Sequence, residues 1–527
     1  MTQKPVAALR LVAFCCAALL FAPWMRAAGP EVKTASGALS GVEDSSAHVV
    51  SFEGIPFAAP PVGELRWRAP QPVPAWSGVR VADHPGASCM QTTANERLPW
   101  TSEFLVHNQV SEDCLYLNVW TPNRSASANL PVVVYIHGGG FVEGSGAVKI
   151  YDGTNLASTG LVVVTINYRL GIFGFFAHPE LAAESPHHAA GNYGLMDQIA
   201  ALHWVQANIR NFGGDPQRVT IWGQSAGAFS VGALLISPEA KGLFAGAMAD
   251  SGLSLGNFPM KDRTAAEAEG TKFAADHHAA SLRDLRAISA EDLLKAQQQA
   301  GHFAPDIDGW VLPAPPSELA RNHAGSDVPV ITGYQANDGL LFTPAMHTAA
   351  DYESLAHKRY GSFADEYLRL YPAASEPEIT KATAEASRDR DRVSMYLWAV
   401  NRGQSAHSPV FTYYFDRGIP WPQHPEFGAF HTGEIPYFFR NFNLLDRPWQ
   451  NADHSVSALA SAYLKAFAST GAPRGDGLPE WPPVSKAVAQ TMEIGEHAGP
   501  MPLAGKTKLD FWTRYFRSQE SEHAPLF

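Results

Sequence analysis

The chain has 527 residues, 46% of them hydrophobic and 17% charged, which is the balance of an ordinary globular protein. A net charge of −12, with no stripe rich in Lys and Arg, argues against nucleic acid as a partner, because phosphate binding needs clustered cations. No stretch is repetitive or low in complexity, and the length suits one large α/β core carrying insertions.

The first element along the chain reads as a secretory signal. Lys4 and Arg10 precede an apolar run from Leu11 to about Met25, with small residues at Ala27 and Ala28. The run is shorter than the ~20 apolar residues a membrane span needs. The expectation is a signal peptide over 1–28, with an uncleaved anchor as the alternative. A single domain over 29–527 follows, secreted to a periplasmic or extracellular space, without stable membrane insertion. Removing the three basic residues of 1–30 leaves a net charge near −15 (36 basic minus 51 acidic). Cys15 and Cys16 fall inside the signal. Cys89 and Cys114 are left as a pair, inviting a disulfide in an oxidising compartment, with two buried thiols as the alternative.

Short apolar, β-branched runs then recur: "PVVVYIH" (131–137), "LVVVTIN" (161–167), "VTIWG" (219–223), "VPVITGY" (328–334) and "PVFTYYF" (409–415). Nearly continuous apolar strands alternating with helices predict a mostly parallel sheet covered on both faces. Between the second and third runs, Leu195, Ile199, Leu202, Val205, Ile209 and Phe212 recur at helical steps, and Gly213 and Gly214 supply a stop. Residues near 260–325 and 345–405 are Ala-, Glu- and Leu-rich, and are read as helical insertions that cap the sheet edge.

Two glycine-rich motifs carry the chemistry. Gly223-Gln224-Ser225-Ala226-Gly227 fits G-x-S-x-G between a strand and an apolar helical run, the pattern of a nucleophile elbow. Small neighbours let the strained turn pass between strand and helix, and the N–H of Ala226 at the helix start suits an oxyanion. The second motif, "YIHGGGFVEGSG" (135–146), also follows a strand, and its glycines expose backbone N–H groups. Gly139 and Gly140 join Ala226 as the candidate oxyanion hole, where losing one donor costs ~3 kcal/mol of barrier.

A serine hydroxyl needs a base, and the base needs an orienting carboxylate, in the chain order Ser, acid, His for this elbow type. Among twenty histidines, His431 in "GAFHTGEIPYFF" follows the last of the apolar strand runs and precedes an aromatic segment. Asp338 stands just past "VPVITGY", before a glycine turn, and Asp250 in "MADSGLSLG" is a second carboxylate for the neighbourhood.

With these motifs the chain resembles the type-B carboxylesterases, the carboxylesterase/cholinesterase family of the α/β-hydrolase superfamily, from about residue 31 onwards. The resemblance rests also on "FEGIPFAAPPVGELRWRAPQPVPAW" (52–76), "SEDCLYLNVWTP" (111–122), "NYRLGIFGF" (167–175), "GNYGLMDQIAALHWVQANIRNFGGDPQRVTIWGQSAG" (191–227) and "STGAPRGDGLPEWPP" (469–483). It implies an α/β-hydrolase fold, Ser225 as nucleophile, His431 as base, Asp338 as acid, and a Cys89–Cys114 disulfide holding a loop with Trp100 near the pocket mouth. It implies a small-molecule ester as the substrate and no metal or organic cofactor.

Two positions depart from the family pattern. Gln224 stands where the family usually has Glu, and Asp338 where it commonly has Glu. The neutral Gln224 is expected to disfavour choline-like cations and suit neutral or anionic esters. Trp100 and Phe141 are candidate pocket residues, Trp100 being read as a wall more than as a cation-binding ring. The pocket walls are expected from the 89–114 loop and from segments near 253–260, 340–350 and 421–430. Glu143 reads as a solvated loop carboxylate, with a place lining the entrance as the alternative; Glu434 either orients the His431 segment or makes a structural hydrogen bond; and the pairs His187-His188 and His277-His278 read as surface residues, not metal ligands. An amide, carbamate or lactone hydrolase with the same triad, a lipase, and a non-catalytic binding protein are the competing functions.

Overall fold

A computed structural model describes residues 1–2, 29–93, 96–255 and 260–519. The signal expected over 1–28 therefore lies almost wholly outside the described residues. Among the described residues no helix is long and apolar enough to cross a membrane.

Eleven strands make the principal sheet. In chain order they are β1 (Val42–Asp44), β2 (Val49–Pro56), β3 (Tyr116–Thr121), β4 (Leu130–Ile136), β5 (Val162–Ile166), β6 (Gly214–Gln224), β7 (Gly246–Asp250), β8 (Val330–Gln335), β9 (Val410–Phe415), β10 (Gln490–Ile494) and β11 (Ala498–Pro502). Their spatial order is β11-β10-β9-β8-β7-β6-β4-β5-β3-β2-β1. The run from β5 to β10 is parallel throughout, and antiparallel strands close both edges. This is the mostly parallel sheet of an α/β-hydrolase.

The five runs read as strands become β4, β5, β6, β8 and β9. Their continuous apolar character has a simple cause, because successive side chains enter cores on opposite faces. Val132, Val134 and Ile136 of β4 join one core with Ile166 and Ile221. Val133 and Tyr135 join the other with Trp222, Ile331 and Phe411. The predicted helix forms as Tyr193–Asn208 and extends through the 3-10 turn Ile209–Phe212, which Gly213 ends at φ 82°. All six residues of its predicted face are buried.

Helices Arg263–Asp276, Leu282–Ala287, Ala290–Ala300 and Pro316–Arg321 fall between β7 and β8. Ala349–Tyr360, Ala364–Leu370 and the long Glu376–Ser405 fall between β8 and β9. The short paired strands Lys261–Asp262 and Asp306–Ile307 interrupt the first group. Cys89 and Cys114 form a disulfide.

Candidate active site

The site forms where β4, β6, β7, β8 and β9 end together. Ser225 follows β6 directly at φ 57° and ψ −124°, and helix Ala226–Ile236 starts at the next residue. The glycines around it are there because the backbones touch. A Cβ on Gly227 would lie 2.0 Å from the carbonyl oxygen of Ile136, and one on Gly223 would lie 2.3 Å from that of Gly227. The Ser225 N–H donates to the Asp250 carbonyl at 2.9 Å, tying the elbow to the end of β7.

The oxyanion-loop candidates lie against this elbow. Gly138 approaches so closely that a Cβ there would lie 3.0 Å from Ser225 Cβ. Gly139 and Gly140 take φ 105° and 61°. The imidazole of His137 is fully buried, stacks on Tyr168 with ring centres 4.4 Å apart, and burial lowers its pKa to about 4. It is therefore neutral under the loop.

Asp338 and His431 leave neighbouring strands and meet. The Asn337 N–H donates to the Ala429 carbonyl at 2.9 Å, so the two loops run side by side. His431 Nδ1 then lies 2.6 Å from Asp338 Oδ1, both side chains being buried. The Ser251 hydroxyl is hydrogen-bonded to the other carboxylate oxygen of Asp338. Gln224 Nε2 lies 3.2 Å from His431 Nε2.

Ser225, His431, Gln224, Gly139 and Gly140 line one cavity of about 370 Å³, a size that suits a small molecule. Trp100, Phe104, Leu105 and Val106 from the 89–114 loop, and Phe342 from the 340–350 segment, supply apolar walls. Val148 and Tyr151 add walls that the sequence did not suggest. The 421–430 segment supplies none; its neighbours His431 and Thr432 do. Of the 253–260 segment, residues 256–259 lie outside the described residues.

Several expectations need correction. Phe141 does not line the cavity: at φ 63° it turns away and packs edge-on to Phe175 at 5.2 Å, 1% exposed. Glu143 lines the cavity, as its alternative reading had it, and pairs there with Arg97. Arg97 also lies over the Trp100 ring at 5.3 Å, so that ring face carries the chain's own cation. Trp100 Nε1 donates to Thr432 Oγ1 at 2.9 Å. Neither carboxylate oxygen of the buried Glu434 bonds another described residue, contrary to a structural hydrogen-bonding role. His187, His188, His277 and His278 are exposed, as expected of surface residues; the His187 ring also stacks on Trp310 at 3.7 Å and that of His277 packs on Phe273 at 4.4 Å.

Asp250 lies beneath the site and does not bond His431. It accepts from Trp222 Nε1 at 2.5 Å and from the Tyr413 hydroxyl at 2.7 Å. Burial, with Asp338 nearby, nonetheless pushes it up to about 7. Glu434 is likewise pushed well above the usual carboxylate range by burial and by the charges of Asp250 and Asp338. Both groups therefore resist adding charge under a site that already holds Asp338.

The sheet order and the cavity at the strand ends define an α/β-hydrolase. The sequence profile of the carboxylesterase family matches residues 28–512, and the chain belongs to that family. It is 38% identical over 490 residues to a fumonisin B1 esterase of Sphingopyxis macrogoltabida, covering 88% of this chain and 86% of the relative. It is 36% identical to the para-nitrobenzyl esterase of Bacillus subtilis (strain 168), covering 88% and 94%, respectively. A solved PNB esterase structure superposes with a TM-score of 0.77 at 31% identity, covering 92% of this chain and 99% of that one. The chain is thus a carboxylic ester hydrolase.

Proposed function

We propose that the enzyme works through Ser225, His431 and Asp338 and an acyl-enzyme. The observation that carries this reading is the 2.6 Å contact of His431 with Asp338 in the cavity that Ser225 lines. With Nδ1–H donated to Asp338, His431 Nε2 is the acceptor for the serine proton. Ser225 Oγ attacks the acyl carbonyl, and N–H groups of Gly139, Gly140 and Ala226 hold the oxyanion. His431 then protonates the departing alkoxide, and water repeats the sequence on the acyl-enzyme.

Gln224 completes the arrangement without charge. Its Nε2 lies 3.2 Å from His431 Nε2, so the amide turns aside for that nitrogen to accept the serine proton, and its carbonyl oxygen then suits the imidazolium. A neutral group here, together with the Arg97 guanidinium over Trp100, favours neutral or anionic esters over choline-type cations. We also propose secretion after cleavage near residue 28, supported by the apolar leader and by the disulfide, which belongs to oxidising compartments.

The test is hydrolysis of p-nitrophenyl esters from acetate to decanoate by the purified mature chain and its Ser225→Ala variant. Activity in the first and near-background rates in the second are expected; equal rates would overturn the nucleophile assignment. Gln224→Glu should raise kcat/KM for cationic esters relative to neutral ones. An unchanged ratio would remove the role assigned to Gln224.

A further inference from the structure

Gln91 lines the cavity, yet its side chain is directed at backbone and is 3% exposed. Its amide grips one residue from both sides. The Gly144 N–H donates to Gln91 Oε1 at 2.8 Å, and Gln91 Nε2 donates to the Gly144 carbonyl at 2.8 Å. Nε2 also donates to the Cys89 carbonyl at 2.9 Å. Both amide protons and an acceptor site are used, so the side chain has one orientation.

What Gln91 grips matters for the oxyanion hole. The Glu143 and Val142 N–H groups both donate to the Gly139 carbonyl at 3.0 Å. The Gly139 carbonyl and the Gly140 N–H share one planar trans peptide and point in opposite directions. Fixing that carbonyl on Glu143 therefore aims the Gly140 N–H away from the turn. Glu143 is the residue before Gly144, so the aim passes from Gln91 through two chain positions to the donor. Gly144 has little freedom of its own: at φ 110° it lies so close to His137 that a Cβ would meet Nδ1 at 2.4 Å.

The other end of the grip is anchored covalently. Cys89 is bonded to Cys114, whose carbonyl accepts from Asn167 Nδ2 at 3.0 Å. Asn167 Oδ1 in turn accepts from Gly146 N–H at 2.9 Å and from the Ser145 hydroxyl at 3.0 Å. The disulfide thus reaches the same loop by two routes, through Gln91 to Gly144 and through Asn167 to residues 145–146.

We infer that Gln91 is a positioning residue for the oxyanion hole, a strut between the Cys89–Cys114 disulfide and Gly144 that keeps the Gly140 N–H aimed at the reacting carbonyl. This rests on the assignment of Ser225, Gly139 and Gly140 proposed above. A group that only satisfies backbone polarity would support stability and leave turnover per folded site intact. A strut for a donor would lower turnover itself.

The experiment compares the wild-type enzyme with Gln91→Met, which keeps the volume and loses every bond, and with Gln91→Glu, which keeps an acceptor for Gly144 and loses both donated bonds. Active sites are titrated with diethyl p-nitrophenyl phosphate. Then kcat and KM for p-nitrophenyl acetate, and Ki for an aryl trifluoromethyl ketone that forms a tetrahedral adduct with serine, are measured per titrated site. In both variants kcat should fall about 10- to 100-fold, less than the roughly 100- to 1,000-fold of a deleted donor, because the donor remains and only its aim loosens. KM should stay within about threefold, and the ketone Ki should weaken in step with kcat/KM. Reducing the disulfide should lower kcat in wild type, and by a smaller factor in Gln91→Met, where only the route through Asn167 is left to lose.

Turnover per site within about threefold of wild type, a change in KM alone, or failure of both variants to fold would overturn the inference. Additive losses on reduction would overturn the anchoring by the disulfide. A wild-type enzyme that the phosphate does not titrate would refute Ser225 first and this inference with it.

Discussion

Replacing Gly227 by alanine tests whether the elbow depends on backbone contact. The added Cβ would lie 2.0 Å from the Ile136 carbonyl oxygen and 2.9 Å from that of His137. Against an optimal separation of roughly 3.5 Å, the nearer contact falls short by about 1.5 Å. Neither obstacle is a side chain that can rotate away, since both are backbone at the end of β4. The elbow must therefore move by about 1 Å, enough to cost ~100-fold in rate, on top of 1–3 kcal/mol of overpacking. The expected result is a fall in kcat/KM of at least about 100-fold, equal to ~2.7 kcal/mol of barrier, with a lowered Tm. Gly242→Ala is the control: its φ is 83° and a Cβ there meets nothing within 4 Å. It should lose ~1 kcal/mol of stability from the left-handed backbone alone and keep its kcat/KM. Kinetics on p-nitrophenyl butyrate with thermal melts decide the matter. A Gly227→Ala enzyme within about threefold of wild type would refute the steric argument.

Two further predictions concern buried charge. Arg169 and Asp197 form a buried pair, Nε at 2.8 Å and Nη2 at 2.7 Å from the carboxylate, so Asp197→Ala leaves an unpaired guanidinium. It should destabilise the fold by ~3–5 kcal/mol, read from the shift of the urea midpoint; a loss under about 1 kcal/mol would mean that water or other groups neutralise Arg169 cheaply. Asp250 is raised from 3.8 to about 7 in the folded chain, so the folded state holds a proton that the unfolded state releases between those values. Stability from this group is complete below about 4 and is lost as pH rises through about 7. Asp250→Asn should therefore flatten the decline of stability with pH over that window, and an unchanged slope would show that Asp250 is ionised when folded.

Much of the fold was legible because β4, β5, β8, β9 and the second half of β6, from Val219, are buried on both faces and are mostly apolar. β7 was not, since "GAMAD" is small and flexible, with little intrinsic strand preference. It forms because β6 and β8 pair with it on both sides. The Ser225 and Gly138–Gly140 motifs announce themselves because glycine is demanded wherever backbones meet. The grip of Gln91, the Arg97–Glu143 pair and the isolation of Glu434 carry no such local mark. They arise from segments brought together by the sheet, as does the turn that sends Phe141 inward.

The walls of the cavity come from connecting segments, as does His431, whereas Ser225 and Asp338 follow closely on the ends of strands. Phe342 shares a 3-10 turn with Asp338 and packs on the His431 ring at 5.2 Å, so this wall is changed one side chain at a time if the chemistry is to stay in place. The 89–114 loop is portable only in part. Its outer part, Trp100 to Val106, is wall, but its base holds Cys89 and Gln91, and Trp100 is itself tied to Thr432 beside His431. A graft that preserves Cys89–Gln91 and the Trp100–Thr432 bond changes only the shape of the pocket; one that replaces the whole loop also changes the engine.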